Sequence, residues 1–132
     1  MQRFYDLEAW KAARDLKILI SNLVKKFPSE ERFSLVSQII RSSRSVTANI
    51  AEGYGRNNYK ETIHFCRMAR GSLEETLNHL IDAFDEKYIT EEELKIYKEQ
   101  VDKSLKILNG YIGYLRKTQQ TKGKKDEDEL GG

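Results

Sequence analysis

The stretch that decides the fold runs from residue 29 to residue 53 and reads SEERFSLVSQIIRSSRSVTANIAEG. Its apolar residues recur at steps of three and four, which places them on one face of a helix. Ser29 is the predicted N-cap, and the two glutamates after it suit the positive end of the helix dipole. Gly53 is the predicted left-handed cap at the other end. The stretch therefore predicts a helix from about Ser29 to Glu52.

Three further stretches, at about residues 6–26, 58–86 and 90–117, carry apolar side chains at the same spacing. Pro28 is expected to end the first of them, because the residue before a proline avoids the helical region. The connections between the four helices are short, which favours antiparallel neighbours. The sequence therefore predicts an all-α fold, an antiparallel up-down-up-down four-helix bundle.

Capping signals mark the N-terminal ends of the third and fourth helices. Asn58 is the predicted N-cap of the third, and Thr90 with Glu93 forms a capping box at the start of the fourth. Gly110 and Gly113 fall inside the fourth helix, where each costs about 1 kcal/mol relative to Ala. We expect these glycines either to allow close helix packing or to mark fraying near Gly110.

The last residues differ in composition from the rest of the chain. Residues 119–132 read QQTKGKKDEDELGG and show no apolar periodicity. A segment without an apolar face gains little from packing, so we predict a flexible charged tail there. The remaining residues, 1–118, are one domain by length and form the predicted bundle.

Composition argues against secreted and membrane proteins. The 132 residues include a single Cys, which excludes a disulfide framework and a Cys-based zinc site. No apolar run approaches the ~20 residues that span a bilayer. The N-terminal residues lack the basic-then-apolar pattern of a signal peptide. We therefore expect a cytoplasmic protein.

The residues that could carry catalysis are few. His64 and His79 are fifteen positions apart on one predicted helix, roughly 22 Å along its axis, and cannot share a metal ion. Cys66 falls on an apolar face and is expected to be buried. The sequence therefore predicts no catalytic residue, no metal site, no cofactor and no small-molecule substrate, and the protein is not expected to be an enzyme.

Charge is nearly balanced overall but strongly segregated along the chain. Residues 25–70 carry nine Lys and Arg and four acids, whereas residues 71–102 carry three Lys and ten acids. One interpretation is that the two blocks pair with each other and are solvated. The other is that the basic block forms a nucleic-acid-binding surface. The candidate binding residues are Arg41, Arg44, Arg56, Lys60, Arg67 and Arg70.

The loop at residues 53–58 is rich in glycine and precedes a predicted helix. We interpret it first as a turn and second as a weak anion site, with Arg56 and Lys60 as its contacts. Tyr54 and Tyr59, next to these cations, are the aromatic residues considered for stacking on bases.

The second helix has an unusual polar face. Residues 30–53 contain no Lys and five Ser, so good helix formers do not account for its stability. One interpretation is that this face is buried in a subunit interface; the other is that solvent covers it. The candidate interface residues are Gln38, Arg41, Ser45, Asn49 and Glu52.

Several short runs together resemble a known family. They are FP at 27–28, QIIR at 38–41, NIAEG at 49–53 and ARGS at 69–72. Over about residues 4–117 the chain resembles the bacterial four-helix bundle proteins called 23S rRNA intervening-sequence proteins. Accessory proteins of diversity-generating retroelements are distant relatives of these.

The resemblance implies a cytoplasmic bacterial bundle that assembles as a homo-oligomer, a ring-like pentamer, with basic surfaces. Combined with the charge pattern, it leads us to expect a non-enzymatic oligomer that binds RNA, DNA or a nucleoprotein partner. The binding surface would be the basic residues of helices two and three. The alternative is a protein–protein interaction scaffold that binds no nucleic acid.

Overall fold

Four long helices build the molecule. The structure is a computed structural model that describes the backbone of residues 2–131 and the side-chain surroundings of residues 2–123. The helices are α1 (Glu8–Leu23), α2 (Leu35–Gly55), α3 (Tyr59–Asp85) and α4 (Glu91–Gly131). Within the described backbone there is no β-strand. Three short 3-10 turns lie at Phe4–Asp6, Val24–Lys26 and Ser29–Glu31.

The helices pack in a ring in chain order, with α1 against α2 and α4, and α3 against α2 and α4. Two contacts fix the direction of α2 and α3. The Thr62 hydroxyl donates to the Gly53 carbonyl, and the Ser42 hydroxyl bonds to that of Thr76. Residue numbers rise along one helix as they fall along the other, so the two are antiparallel. The predicted all-α four-helix bundle is confirmed.

All four helices contribute to one apolar core. A fully buried Leu or Ile side chain stabilises the fold by about 1.5–3 kcal/mol relative to exposure. The fully buried large side chains include Leu16, Ile20, Ile39, Ile50, Leu73, Leu80, Val101, Leu108 and Ile112. Cys66 is buried among them as predicted, and burial raises the pKa of its thiol to about 11. Of the helices described, none is both long and apolar enough to cross a membrane.

The second helix begins later than predicted. Ser29–Glu31 form a 3-10 turn, closed by a bond from the Arg32 amide to the Ser29 carbonyl, and α2 starts at Leu35. The prediction of Ser29 as its N-cap is wrong, because this turn satisfies the backbone groups locally before the helix starts. Phe33 is one of the apolar residues whose spacing predicts the buried face of this helix, but it lies before the helix and is 86% exposed.

Gly53 does not cap α2. It lies inside the helix, and Asn57 takes the left-handed conformation instead, with φ of 52°. A Cβ at Gly53 would lie 2.8 Å from the Phe65 Cβ and 3.2 Å from the Thr62 carbonyl oxygen. The glycine is therefore required because α3 approaches the α2 backbone closely, and the prediction of a left-handed cap is wrong.

The predicted caps of α3 and α4 are confirmed. The Asn58 side chain accepts a 3.0 Å hydrogen bond from the Glu61 amide. At the start of α4, the Glu93 amide donates to the Thr90 hydroxyl at 3.1 Å. The Thr90 amide donates in return to the Glu93 carboxylate at 3.0 Å. Each bond satisfies a backbone amide that has no partner inside its helix.

Helix α4 continues past Lys117, where its apolar periodicity stops. Gly110 and Gly113 are exposed within it, and nothing lies within 4 Å of a Cβ built on either. Both expectations for these glycines, close packing and fraying, are therefore wrong. The Lys and Gln residues that follow are good helix formers, which favours continuation of the helix without an apolar face. Side chains from residue 124 onward lie outside the described residues, and the flexible tail at residues 119–132 stays a prediction.

Alanine substitutions compare Gly53, which permits close packing of two helices, with Gly110, which faces open space within its helix. We expect Gly53→Ala to lower the free energy of unfolding by about 1–3 kcal/mol, because the methyl group meets the α3 backbone. The matched control, Gly110→Ala in open space, should raise it by about 0.5–1 kcal/mol. Urea unfolding monitored by circular dichroism measures both, and equal effects of the two substitutions would contradict the close packing at Gly53.

The contact of Glu93 with Lys26 makes part of the stability depend on pH. The Lys26 ammonium, and then the Thr90 amide, hold the pKa of Glu93 below its ordinary value of 4.5. A depressed pKa in the folded state stabilises the fold above the unfolded value and stops doing so as pH falls through the folded value. We expect Glu93→Gln to cost about 0.5–1 kcal/mol above pH 4.5 and progressively less below it.

Thermal or urea unfolding at a series of pH values between about 2 and 7 measures this dependence. Glu92→Gln is the matched control, because Glu92 is exposed and makes no hydrogen bond or ion pair among the described residues. A Glu93→Gln difference that does not change with pH would contradict the assignment.

Candidate functional site

A groove whose charged lining residues, among the side chains described, are all cations begins between α1 and α2 and continues along the outer side of the first half of α2. It consists of two cavities of about 260 and 670 Å³ that share Ile40 and Arg44 as lining residues. We call it the basic groove. Its charged lining residues are Lys17, Arg32, Arg41 and Arg44, and serine and threonine hydroxyls lie between them.

One of the four cations is already compensated within the chain. The Arg41 guanidinium pairs with Glu75 and also donates to the Gln38 side chain at 3.1 Å. Burial alone would raise the pKa of Glu75, but hydrogen bonds from His79 and Arg41 lower it overall. Glu75 therefore stays ionised at neutral pH and neutralises Arg41.

The other three cations of the groove have no such counter-charge. Within the part of the chain whose side chains are described, Lys17, Arg32 and Arg44 make no ion pair. The Arg32 guanidinium lies 5.3 Å from the centre of the Phe33 ring. The groove can therefore attract an anion without first breaking an ion pair at these residues.

Apolar side chains lie beside these cations. Phe33 is 86% exposed and Ile18 is 45% exposed, while Val36 and Ile40 are half-buried. An exposed ring next to guanidinium groups offers a stacking surface together with charge. The groove therefore suits a ligand that carries both phosphates and flat apolar groups.

A third cavity lies where the α2–α3 connection meets α4. It measures about 490 Å³, and Tyr54, Tyr59, Tyr111, Asn57 and Lys122 are among its lining residues. We call it the tyrosine cleft. The Tyr54 hydroxyl donates to the Gln2 carbonyl at 2.9 Å, which holds its ring in place. Burial raises the pKa of Tyr111 to about 12.

The structure divides the six predicted nucleic-acid-binding residues among several surfaces. Arg41 and Arg44 line the basic groove. Arg56 pairs with Glu52 at 2.8 Å, and its guanidinium lies 5.0 Å from the centre of a phenylalanine ring. Arg70 donates to Asn109 on α4 at 2.9 Å.

The two remaining candidates, Lys60 and Arg67, are exposed on α3. Sequence reasoning missed Lys17 and Arg32 as partners of Arg44, because only the packing of α1 on α2 brings Lys17 to the groove. The binding of nucleic acid by any of these residues stays a prediction.

The polar face of α2 has a partner within the same chain. Ser72 on α3 donates to the Ser45 hydroxyl at 2.9 Å, and the Asn49 amide donates to the same hydroxyl at 3.0 Å. The Ser42 and Thr76 hydroxyls lie 2.9 Å apart. Helix α3 therefore covers part of this face within the chain through matching hydroxyl groups, and burial of the rest in a subunit interface stays a prediction.

Part of that face remains accessible. Gln38, Arg41 and Glu52 are exposed, while Ser45 and Asn49 are half-buried. Polar side chains beside a packed helix pair can still contact another subunit. The oligomer interface at these five residues stays a prediction.

The histidines take separate positions. His79 contacts the carboxylates of Glu75 at 3.1 Å and Asp82 at 3.8 Å, both on its own helix. His64 is exposed and lies beside Phe65. No group of three or more potential metal-ligating side chains occurs in the described region.

Comparison with known proteins identifies the family. No curated protein matches the chain. A crystal structure of a protein of unknown function from the S23 ribosomal protein family of Bacteroides thetaiotaomicron is similar to it, with 25% identity and a TM-score of 0.73. The similarity covers 80% of this chain and 95% of that one. The family model described as 23S rRNA-intervening sequence protein matches residues 5–110. The chain therefore belongs to the family of 23S rRNA-intervening sequence proteins.

Proposed function

We propose that this protein is a non-enzymatic helical bundle of the bacterial cytoplasm that binds nucleic acid, or a nucleoprotein partner, through the basic groove. One observation carries the proposal: among the side chains described, every charged residue that lines the groove is a cation, and three of the four have no ion-pair partner. Nucleic-acid backbones present a regular row of phosphates that such a surface binds.

The side chains of the groove suit nucleic-acid binding by their chemical groups as well as by their charge. Arg32 and Arg44 carry planar guanidinium groups that can bind a phosphate with two parallel hydrogen bonds. The hydroxyls of Ser21 and Ser37, which are exposed in the groove, can donate to phosphate oxygens. The Phe33 ring, exposed beside Arg32, offers a face on which an unpaired base can stack.

RNA is the first ligand to test. The family description names 23S rRNA, and the similar protein is assigned to a ribosomal protein family. These words describe the relatives, and for this chain they only order the candidate ligands. DNA is the second ligand to test, since phosphate contacts alone do not distinguish the two.

We also propose that the protein is a homo-oligomer, a pentamer by its family resemblance, and that Gln38, Arg41, Ser45, Asn49 and Glu52 contribute to the interface. An oligomer would repeat the basic groove in each copy, and repeated weak contacts to one nucleic acid give a much higher overall affinity.

A second candidate function is an interaction scaffold that binds no nucleic acid. The exposure of Phe33, with Ile18 also exposed and Ile40 half-buried in the same groove, favours it. Contiguous exposed apolar side chains are typical of protein-binding surfaces.

Removal of one groove cation tests the proposed function. We expect Arg44→Gln and Lys17→Gln each to weaken RNA binding and to reduce the salt dependence of the affinity by about one phosphate contact. With three to four contacts, the native affinity should fall roughly 10- to 100-fold between 50 and 200 mM salt. Mobility-shift assays or fluorescence anisotropy across a salt series measure both effects.

Lys95→Gln is the control, because it removes the same charge from an exposed residue in the acidic block on α4. An equal effect of all three substitutions would indicate general charge attraction and would contradict a role for the groove. Absence of any binding to RNA or DNA at low salt would refute the proposed function.

The interface is tested by placing a bulky charge on it. We expect Asn49→Arg to lower the mass of the particle measured by light scattering, because an Arg at a half-buried interface position blocks close packing of subunits. Asn78→Arg, the same change at an exposed position of α3, should leave the mass unchanged. Circular dichroism confirms that both variants fold, and a native mass for Asn49→Arg would exclude this part of α2 from the interface.

A further inference from the structure

We infer that the tyrosine cleft binds one nucleotide unit, a base with its phosphate, and that it takes an unpaired residue of a single-stranded nucleic acid. The inference rests on the proposed function, because that function supplies the nucleic-acid strand whose base enters the cleft. It adds a base-contacting site to the phosphate-contacting basic groove, at the opposite end of α2.

The size and the aromatic lining of the cleft fit a base. Its volume of about 490 Å³ falls within the range typical of small-ligand sites. Tyr54, Tyr59 and Tyr111 come from three different parts of the chain and are all half-buried, so each ring keeps an accessible part. Bases of any sequence stack on such rings.

The polar groups of the cleft are available to a ligand. The Tyr54 hydroxyl is used to hold the N-terminal segment. In contrast, the side chains of Asn57, Tyr59 and Tyr111 donate no hydrogen bond to any described residue. An amide and two hydroxyls can match the donors and acceptors on the edge of a base.

A positive charge lies beside the rings. The Lys122 ammonium is 5.9 Å from the centre of the Tyr59 ring, and no carboxylate is among the cleft-lining side chains of residues 2–123. A cation that borders a stacking surface can bind the phosphate attached to the stacked base. Base and phosphate contacts therefore lie within one cavity.

The recessed position of the rings selects an unpaired base. A base inside a duplex is stacked on both faces and must leave the stack to reach such a cleft, which costs a few kcal/mol. An unpaired base, or a free nucleotide, avoids this cost. These two sources share the same chemistry, and the test separates them.

The test compares strands with and without bases, using the full-length protein at low salt. The probes are a fluorescent single-stranded oligoadenylate of about twelve residues, the same strand made abasic at its central positions, and its duplex. We expect the base-containing strand to bind most tightly. Tyr59→Leu should weaken its binding roughly 5- to 100-fold and leave the abasic strand unaffected, because stacking is lost and phosphate contacts are kept.

Two matched variants control for folding and position. Tyr59→Phe keeps the ring and should retain most of the affinity. Tyr114→Leu makes the same change at an exposed tyrosine of α4 that does not line the cleft, and should bind like the native chain. Thermal unfolding confirms that each variant is folded.

The outcomes distinguish the cleft from the groove. Equal affinity for base-containing and abasic strands would overturn the inference and leave the proposed function intact. Binding of no strand would refute the proposed function. Titration with adenosine monophosphate would then show whether the cleft binds a free nucleotide. Saturable binding that Tyr59→Leu abolishes would support a site for a free nucleotide, and absence of binding would overturn the inference.

Discussion

The close packing of α2 against α3 is the constraint on which the rest of the structure depends. Gly53 lets the α3 backbone approach so closely that a single added carbon would lie 2.8 Å from the Phe65 Cβ. Because the two helices approach so closely, the Thr62 hydroxyl donates a 2.7 Å hydrogen bond to the Gly53 carbonyl. Further along, the Ser42 and Thr76 hydroxyls bond to each other in the buried interface. A buried hydroxyl without a partner costs about 1–3 kcal/mol, so these bonds fix the register of the two helices.

This register determines which charges are compensated. Arg41, from the basic block, pairs with Glu75, from the acidic block, and Lys26 pairs with Glu93 in the same way. The interpretation that the two blocks neutralise each other is therefore correct for these pairs. It does not hold for Arg44, which faces α1 and has no counter-charge among the described residues. The proposed function rests on the charge that this packing leaves uncompensated.

Local sequence signals predicted much of the fold. Helical periodicity identified all four helices, and the caps at Asn58 and Thr90 were correct because a cap acts within one turn of the chain. The predicted ends of the second helix were wrong, because the residues there are compatible with two different local structures. Ser29 can start an α-helix or a 3-10 turn, and Phe33 became exposed because the turn formed. Gly53 could serve as a cap or as a contact point, and only the position of α3 distinguishes these roles.

For the candidate site, the sequence identified some of the side chains that line the groove and the cleft, but not how these side chains are brought together. It selected Arg41 and Arg44 as candidate cations and Tyr54 and Tyr59 as candidate stacking residues. It did not identify Lys17 as a partner of Arg44, or Tyr111 as a partner of Tyr59. Neither pair is linked by a local pattern, because each joins different helices.

The sequence by itself determined the four helices, the N-caps at Asn58 and Thr90, most of the buried positions and the segregation of charge, because these depend on residues within a few turns of one another. The tertiary structure decided which helix covers the polar face of α2 and which cations and rings share a cavity. Those features depend on how far apart the helix axes lie and in which register they pack. Both are fixed by contacts between residues distant in the chain, above all at Gly53.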